Sequence, residues 1–86
     1  MSIVKATTVY TPNDALLRSI AKEIKRLRIA KGITIEQLSE LCGLHSKYLQ
    51  TIERGQRNIS ISVFVQLANA LGISAPKLLG QVLKIL

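Results

Sequence analysis

The chain has 86 residues, 48% hydrophobic but only three of them aromatic, and 12 Lys and Arg against five Asp and Glu give a formal charge of +7. That length holds one small domain with a single core, and an apolar content resting on Leu and Ile suits an all-helical fold. The charge favours an anionic partner, nucleic acid before a membrane surface, and the few scattered acids argue against enzyme chemistry.

Residues 1–10 have β-type composition (Ile3, Val4, Thr7, Thr8, Val9, Tyr10) without a partner strand. They read as a flexible N-terminal arm, 1–11, or as an edge segment pairing with another copy. MSIVKATTVY is too short and threonine-rich for the apolar core of a signal peptide, and no apolar run is long enough to span a bilayer. The domain is expected over 12–86. Thr11-Pro12-Asn13-Asp14 signals a helix start: Thr11 caps, Pro12 takes the first turn, and Asp14 reaches back to the cap. Leu17, Ile20, Ile24 and Leu27 follow at 3-4-3 spacing as one buried stripe, with Arg18, Lys22, Lys25 and Arg26 mostly outside it. Gly32 is placed to end this helix.

Thr34-Ile-Glu-Gln37 is a capping box, and Ile33 and Leu38 flank it as a hydrophobic staple. It predicts a helix from about Ile35 to Cys42 with Leu38 and Leu41 inward, then a turn at Gly43. A third helix is predicted from about Ser46 to Arg54, with Leu49 and Ile52 inward and Gly55 as its stop. A fourth runs from about Ile61 to Leu71, capped by Ser60, with Phe64, Leu67, Ala68 and Leu71 on its apolar side. Ser74 caps a fifth, from about Ala75 to Ile85. Five helices fill the chain and leave no room for a sheet.

The second and third helices are separated by three or four residues around Gly43, the spacing of a helix-turn-helix. Leu38, Cys42, Leu44, Leu49 and Ile52 are apolar where such a pair packs on the core, and Ser39 is small where the helices cross. The window RLRIAKGITIEQLSELCGLHSKYLQTIERGQRNISISVFVQLANALGIS resembles the phage repressor/Cro-type (Xre-like) helix-turn-helix regulators, a likeness that covers roughly 14–80. LR..KG.T, CGLH..YL..IERG.RNIS and LANALGIS carry it, and the last run with RNIS is also similar to the controller proteins of restriction–modification systems. The resemblance implies a compact five-helix bundle that binds a pseudo-palindromic double-stranded DNA operator as a homodimer, possessing no cofactor and acting in the cytoplasm.

Carried over by position, the resemblance lays the third helix in the major groove. Ser46, Lys47, Gln50 and Thr51 face away from the Leu49/Ile52 stripe and become the base readers: Lys47 suits guanine, Gln50 adenine, and the Thr51 methyl thymine. Without the motif, the same face reads as ordinary solvated surface. Arg57 and Asn58 are assigned to phosphates, and Arg54 either joins them or offsets the helix dipole. Thr34 and Gln37 combine capping with phosphate binding. Tyr48 divides between packing its ring and offering its hydroxyl to a phosphate, and His45, at or before the third helix's N-cap, between a DNA contact and solvent. The family often has Gln at the position of Ile35, where it contacts a phosphate, so that anchor is missing or supplied elsewhere. The resemblance also implies a largely buried ion pair, Arg28–Glu53, tying the first helix to the third.

The lone Cys42 cannot form an internal disulfide, which fits a reducing compartment, and one Cys beside one His does not make a metal site. The last helix is too apolar for one face. Leu78 and Leu79 are expected to divide between the core and a dimer interface, and Val82, Leu83, Ile85 and Leu86 to lie in that interface. Two other classes fit less of the sequence: an antitoxin-like module whose main partner is an unidentified protein, and a basic protein on anionic membranes. The latter gives no reason for Gly43, Ser39 or the Arg28/Glu53 pair.

Overall fold

Every helix after the first begins on a polar side chain that accepts a hydrogen bond from an early amide. Thr34, His45, Ser60 and Ser74 accept from the backbone N–H of Gln37, Lys47, Val63 and Lys77, satisfying donors that a helix start leaves without intrahelical partners. The computed structural model describes residues 14–86, which form α1 (Asp14–Lys31), α2 (Ile35–Cys42), α3 (Ser46–Glu53), α4 (Ile61–Ala70) and α5 (Ala75–Lys84), with no strand among them. The expected arm and the Thr11–Pro12–Asn13 start lie outside the described residues.

The core is built from one stripe per helix. Ile20 and Ile24 of α1 meet Leu38 and Cys42 of α2, Leu49 and Ile52 of α3, Phe64, Leu67 and Ala68 of α4, and Leu78 and Val82 of α5. α1 packs on α3 and α5, α2 bridges α3 and α4, and α4 closes on α5. Gln66 Nε2 adds a polar tie from α4 to the Cys42 carbonyl at the end of α2, 3.4 Å away. On the other side, the buried Glu23 of α1 takes a fork of bonds from Arg26, which also donates to Gln81 of α5 at 3.4 Å. Among the described residues no buried side-chain polar atom lacks a partner.

Three expectations need correction. Leu41 was expected inward but is 58% exposed. The buried residues of α2 are Leu38, Ser39 and Cys42, and at about 100° per residue Leu41 falls roughly a quarter-turn outside their centre. Val82, expected in a dimer interface, is fully buried within the protomer, as is Leu78. Both belong to the protomer's own core, and only Leu79, Leu83, Ile85 and Leu86 remain exposed. Lastly, Arg54, Leu71 and Ile85 are C-caps that follow their helices rather than last helical residues.

No single described helix is long and apolar enough to cross a membrane. α4 and α5 reach the required apolarity only together, and they meet at a bend of 102°.

Candidate nucleic-acid interface

α2 and α3 are set at their angle by Gly43. Its φ of 71° is left-handed, its N–H returns to the Ser39 carbonyl, and the Leu44 N–H bonds the same oxygen at 3.1 Å. A side chain here would meet no neighbouring atom, so glycine is required by backbone conformation and not by space. Ser39, buried at the crossing, turns its hydroxyl back to the Glu36 carbonyl at 2.7 Å.

α3 is anchored from behind twice. Leu49 and Ile52 fill the core, and Glu53 takes a two-pronged bond from Arg28 of α1, Nε to Oε2 at 2.7 Å and Nη2 to Oε1 at 3.0 Å. The side chains are only 12% and 5% exposed. Arg28 Nη1 also donates to the Ile33 carbonyl at 2.9 Å, so one guanidinium joins α1, the turn before α2, and the end of α3. The bonds to Glu53 raise the Arg28 pKa from its ordinary value against the opposing effect of burial. Just past α3, Gly55 approaches α1 closely: a Cβ there would lie 3.3 Å from Arg18 Cγ, and its φ is +72°.

So anchored, α3 turns Ser46, Lys47, Gln50 and Thr51 away from the core, with Lys47 the most open of the four. The Thr51 hydroxyl donates to the Tyr48 carbonyl at 2.6 Å, which engages its proton within the helix. His45 is the N-cap of α3: Nδ1 accepts from the Lys47 amide at 3.2 Å, so the neutral ring carries its proton on Nε2, a donor available to a ligand. The half-buried Tyr48 ring lies beneath the Arg57 guanidinium, 5.0 Å from its centroid, within cation–π range. Arg54, Arg57 and Asn58 are all exposed on the segment joining α3 to α4. At the start of α2 the capping box is closed in both directions, at 3.1 Å and 2.9 Å. Thr34 Oγ1 and Gln37 Oε1 are therefore engaged as acceptors, while the Thr34 hydroxyl proton and Gln37 Nε2 remain as donors.

Between these elements runs an open cleft. Its walls bring Thr34, Ile35 and Glu36 from the start of α2 opposite Gln50, Glu53 and Arg54, with Lys25 and Arg28 of α1 at the back. Lys25 was not among the residues singled out from sequence. In the sequence it is one cation of several on α1, and only the packing of α1 on α3 shows which of them reaches this cleft. Cys42 is buried and its thiol pKa is pushed up by that burial. Among the described residues no three His, Cys, Asp or Glu side chains gather as a metal site.

The helix-turn-helix family HTH_3 matches residues 24–78. The chain belongs to this Xre-like family. Within it, the chain is 40% identical over 60 residues to control protein C.SmaI of Serratia marcescens, covering 70% of this chain and 71% of that protein. The restriction–modification controller C.AhdI of Aeromonas hydrophila superposes with a TM-score of 0.69 at 40% identity, covering 72% of this chain and 94% of that one. The controller C.Esp1396I, solved as a tetramer on its natural 35 base-pair operator, superposes with a TM-score of 0.75 at 30% identity over 80% of this chain and 91% of that one.

Proposed function

We propose that this helix-turn-helix transcriptional regulator is of the restriction–modification controller type, and that it binds a pseudo-palindromic double-stranded operator as a homodimer and controls its own operon. The observation that carries the reading is the mounting of α3. Its apolar side and Glu53 are fixed to the core and to Arg28, and Ser46, Lys47, Gln50 and Thr51 form the row left facing outward. A helix held this firmly from behind can present a fixed set of donors and methyls to base edges.

In this reading α3 enters the major groove. Lys47 donates to guanine O6/N7, Gln50 pairs with adenine, Ser46 takes either base, and the Thr51 methyl meets thymine. Arg57 and Asn58, with Arg54, His45 Nε2, Thr34 and Gln37, hold phosphates and fix register. Tyr48 stacks under Arg57 and steadies it. Leu79, Leu83, Ile85 and Leu86, exposed on and after α5, form the surface that a second copy covers, placing two α3 helices about 34 Å apart in successive major grooves. The protein works without a cofactor in the cytoplasm, and its function is binding rather than catalysis. The operator complex of C.Esp1396I supports the choice of DNA as partner.

The test is the salt dependence of duplex binding. A dimer that neutralises ~6–10 phosphates loses ~10³–10⁵-fold in affinity between 50 and 200 mM salt. Affinity that stays nearly flat over that range rejects the reading.

A further inference from the structure

We propose that the groove between the start of α1 and the end of α5 is the docking site of the chain's own N-terminal arm, with the Tyr10 ring as the group that fills it. The inference goes beyond the DNA-binding reading and does not depend on it.

The groove is formed by described residues alone. Ala15, Arg18, Ser19 and Lys22, on successive turns of α1, make one wall, and Ile85 and Leu86, past the last turn of α5, make the other. Ser19 is buried, while Ile85 and Leu86 are left exposed. No acid lines the groove, and neither Arg18 nor Lys22 is in an ion pair among the described residues. An apolar wall facing two cations suits a neutral aromatic ring better than an aliphatic or an anionic group. The ring buries apolar area against Ile85 and Leu86, and its π-face attracts a guanidinium. The aliphatic stems of Arg18 and Lys22 add to the contact.

The arm brings such a ring to this place. In Thr11-Pro12-Asn13-Asp14, with Thr11 as N-cap and Pro12 as the first helical residue, Ala15 is the fourth. The residue before an N-cap packs on the fourth helical residue as a hydrophobic staple. Those two residues are Tyr10 and Ala15, and Ala15 stands in the groove wall. Arg18 follows one turn on, about 4.5 Å along the axis, inside the ~6 Å reach of a cation–π contact. Ala6 to Pro12 carry no charge, so this part of the arm brings nothing that the two cations repel. Staple partners five residues apart need no second copy, which assigns the arm to its own protomer. Leu86 also belongs to the surface proposed above for a second copy, so the seated ring extends that surface at its edge.

Tyr10 and Tyr48 are the only tyrosines and there is no tryptophan, so the full-length Tyr48→Phe protein reports on Tyr10 alone. Its emission is titrated with acrylamide, a neutral quencher, in native buffer and in denaturing urea. The native quenching constant should lie well below that of the unfolded chain, and Ile85→Ser should raise it toward the unfolded value. The protection should persist in a Leu83→Glu background that sedimentation shows to be monomeric. In thermal melts Tyr10→Ala and Ile85→Ser should each lower the midpoint by roughly 4–8 °C, Tyr10→Phe should leave it unchanged, and the double variant Tyr10→Ala/Ile85→Ser should lose little more than either single one. A native constant equal to the unfolded one, protection that survives Ile85→Ser, or melting losses that add in full overturns the proposal. Protection lost in the monomeric background overturns docking within the protomer and moves the ring to a second copy. Should circular dichroism show Ile85→Ser unfolded, Leu86→Ser takes its place, and the quenching of Tyr48→Phe alone still decides. None of these outcomes bears on DNA binding, which the salt titration tests separately.

Discussion

Replacing Arg28 with Ala should be among the most damaging single changes in the described chain. It would leave the Glu53 carboxylate at 5% exposure without its two bonds and strip the Ile33 carbonyl of its guanidinium donor. A stranded partner of a buried pair costs ~3–5 kcal/mol. Since ~1 kcal/mol moves the melting midpoint of a domain this size by roughly 4–8 °C, even the lower bound implies a drop of roughly 12–24 °C. Urea unfolding followed by far-ultraviolet circular dichroism, at matched protein concentration because the proposed dimerisation would add apparent stability, gives the free energy directly. Glu53→Ala should cost as much, and the double variant Arg28→Met/Glu53→Leu should be more stable than either single one, because a matched apolar pair leaves no charge behind. If Arg28→Ala unfolds within ~1 kcal/mol of the wild type, or the double variant behaves as the sum of two losses, the pair does not hold α3 as argued.

Gly43→Ala should cost about 1–2 kcal/mol, all of it from the left-handed backbone, since no atom obstructs the new methyl. Gly43→Asn should cost less, and thermal melts of the two compare them. Burial raises the Cys42 thiol pKa, so the unfolded chain gives up the thiol proton first. The stability of the wild type relative to Cys42→Ala should therefore be flat below the ordinary thiol range of about 8.5 and fall as pH rises from there through the folded value. At neutral pH the native thiol should react with a disulfide reagent only as fast as the protein opens. Leu83→Glu, on the exposed side of α5, should turn the proposed dimer into a monomer in sedimentation analysis while leaving helical content unchanged. Leu78→Glu should instead unfold the protomer.

What the sequence made legible was whatever is encoded locally. Thr34 and Gln37 three residues apart, Ser60 and Ser74 before apolar runs, and Gly43 after one each state a boundary within four residues, and the helix limits follow from them to within a residue. Leu41 was misplaced because an eight-residue helix offers too few apolar positions to fix its inward direction, and the small Ser39 is what turns toward the core. The last helix was legible in amount but not in allocation. Its hydrophobicity showed more apolar surface than one face needs, yet only the packing against α1 and α4 separates Val82, enclosed in the protomer, from Leu83, left outside. The Arg28–Glu53 pair came from family resemblance, since a separation of 25 residues carries no local signal. The bond to the Ile33 carbonyl was invisible for the same reason: it arises only where α1 meets the turn before α2.

The central claim, that the outward row of α3 reads sequence, is tested most directly by selecting duplexes from a random pool with the wild type and with Lys47→Ala and Arg57→Ala. The wild type should enrich a pseudo-palindrome with half-sites about 10 base pairs apart, centre to centre. Lys47→Ala should lose base preference at one position in each half-site, and Arg57→Ala should weaken binding to all sequences alike while keeping the same preferred site. A wild-type pool that remains random, or two variants with indistinguishable pools and losses, would contradict it.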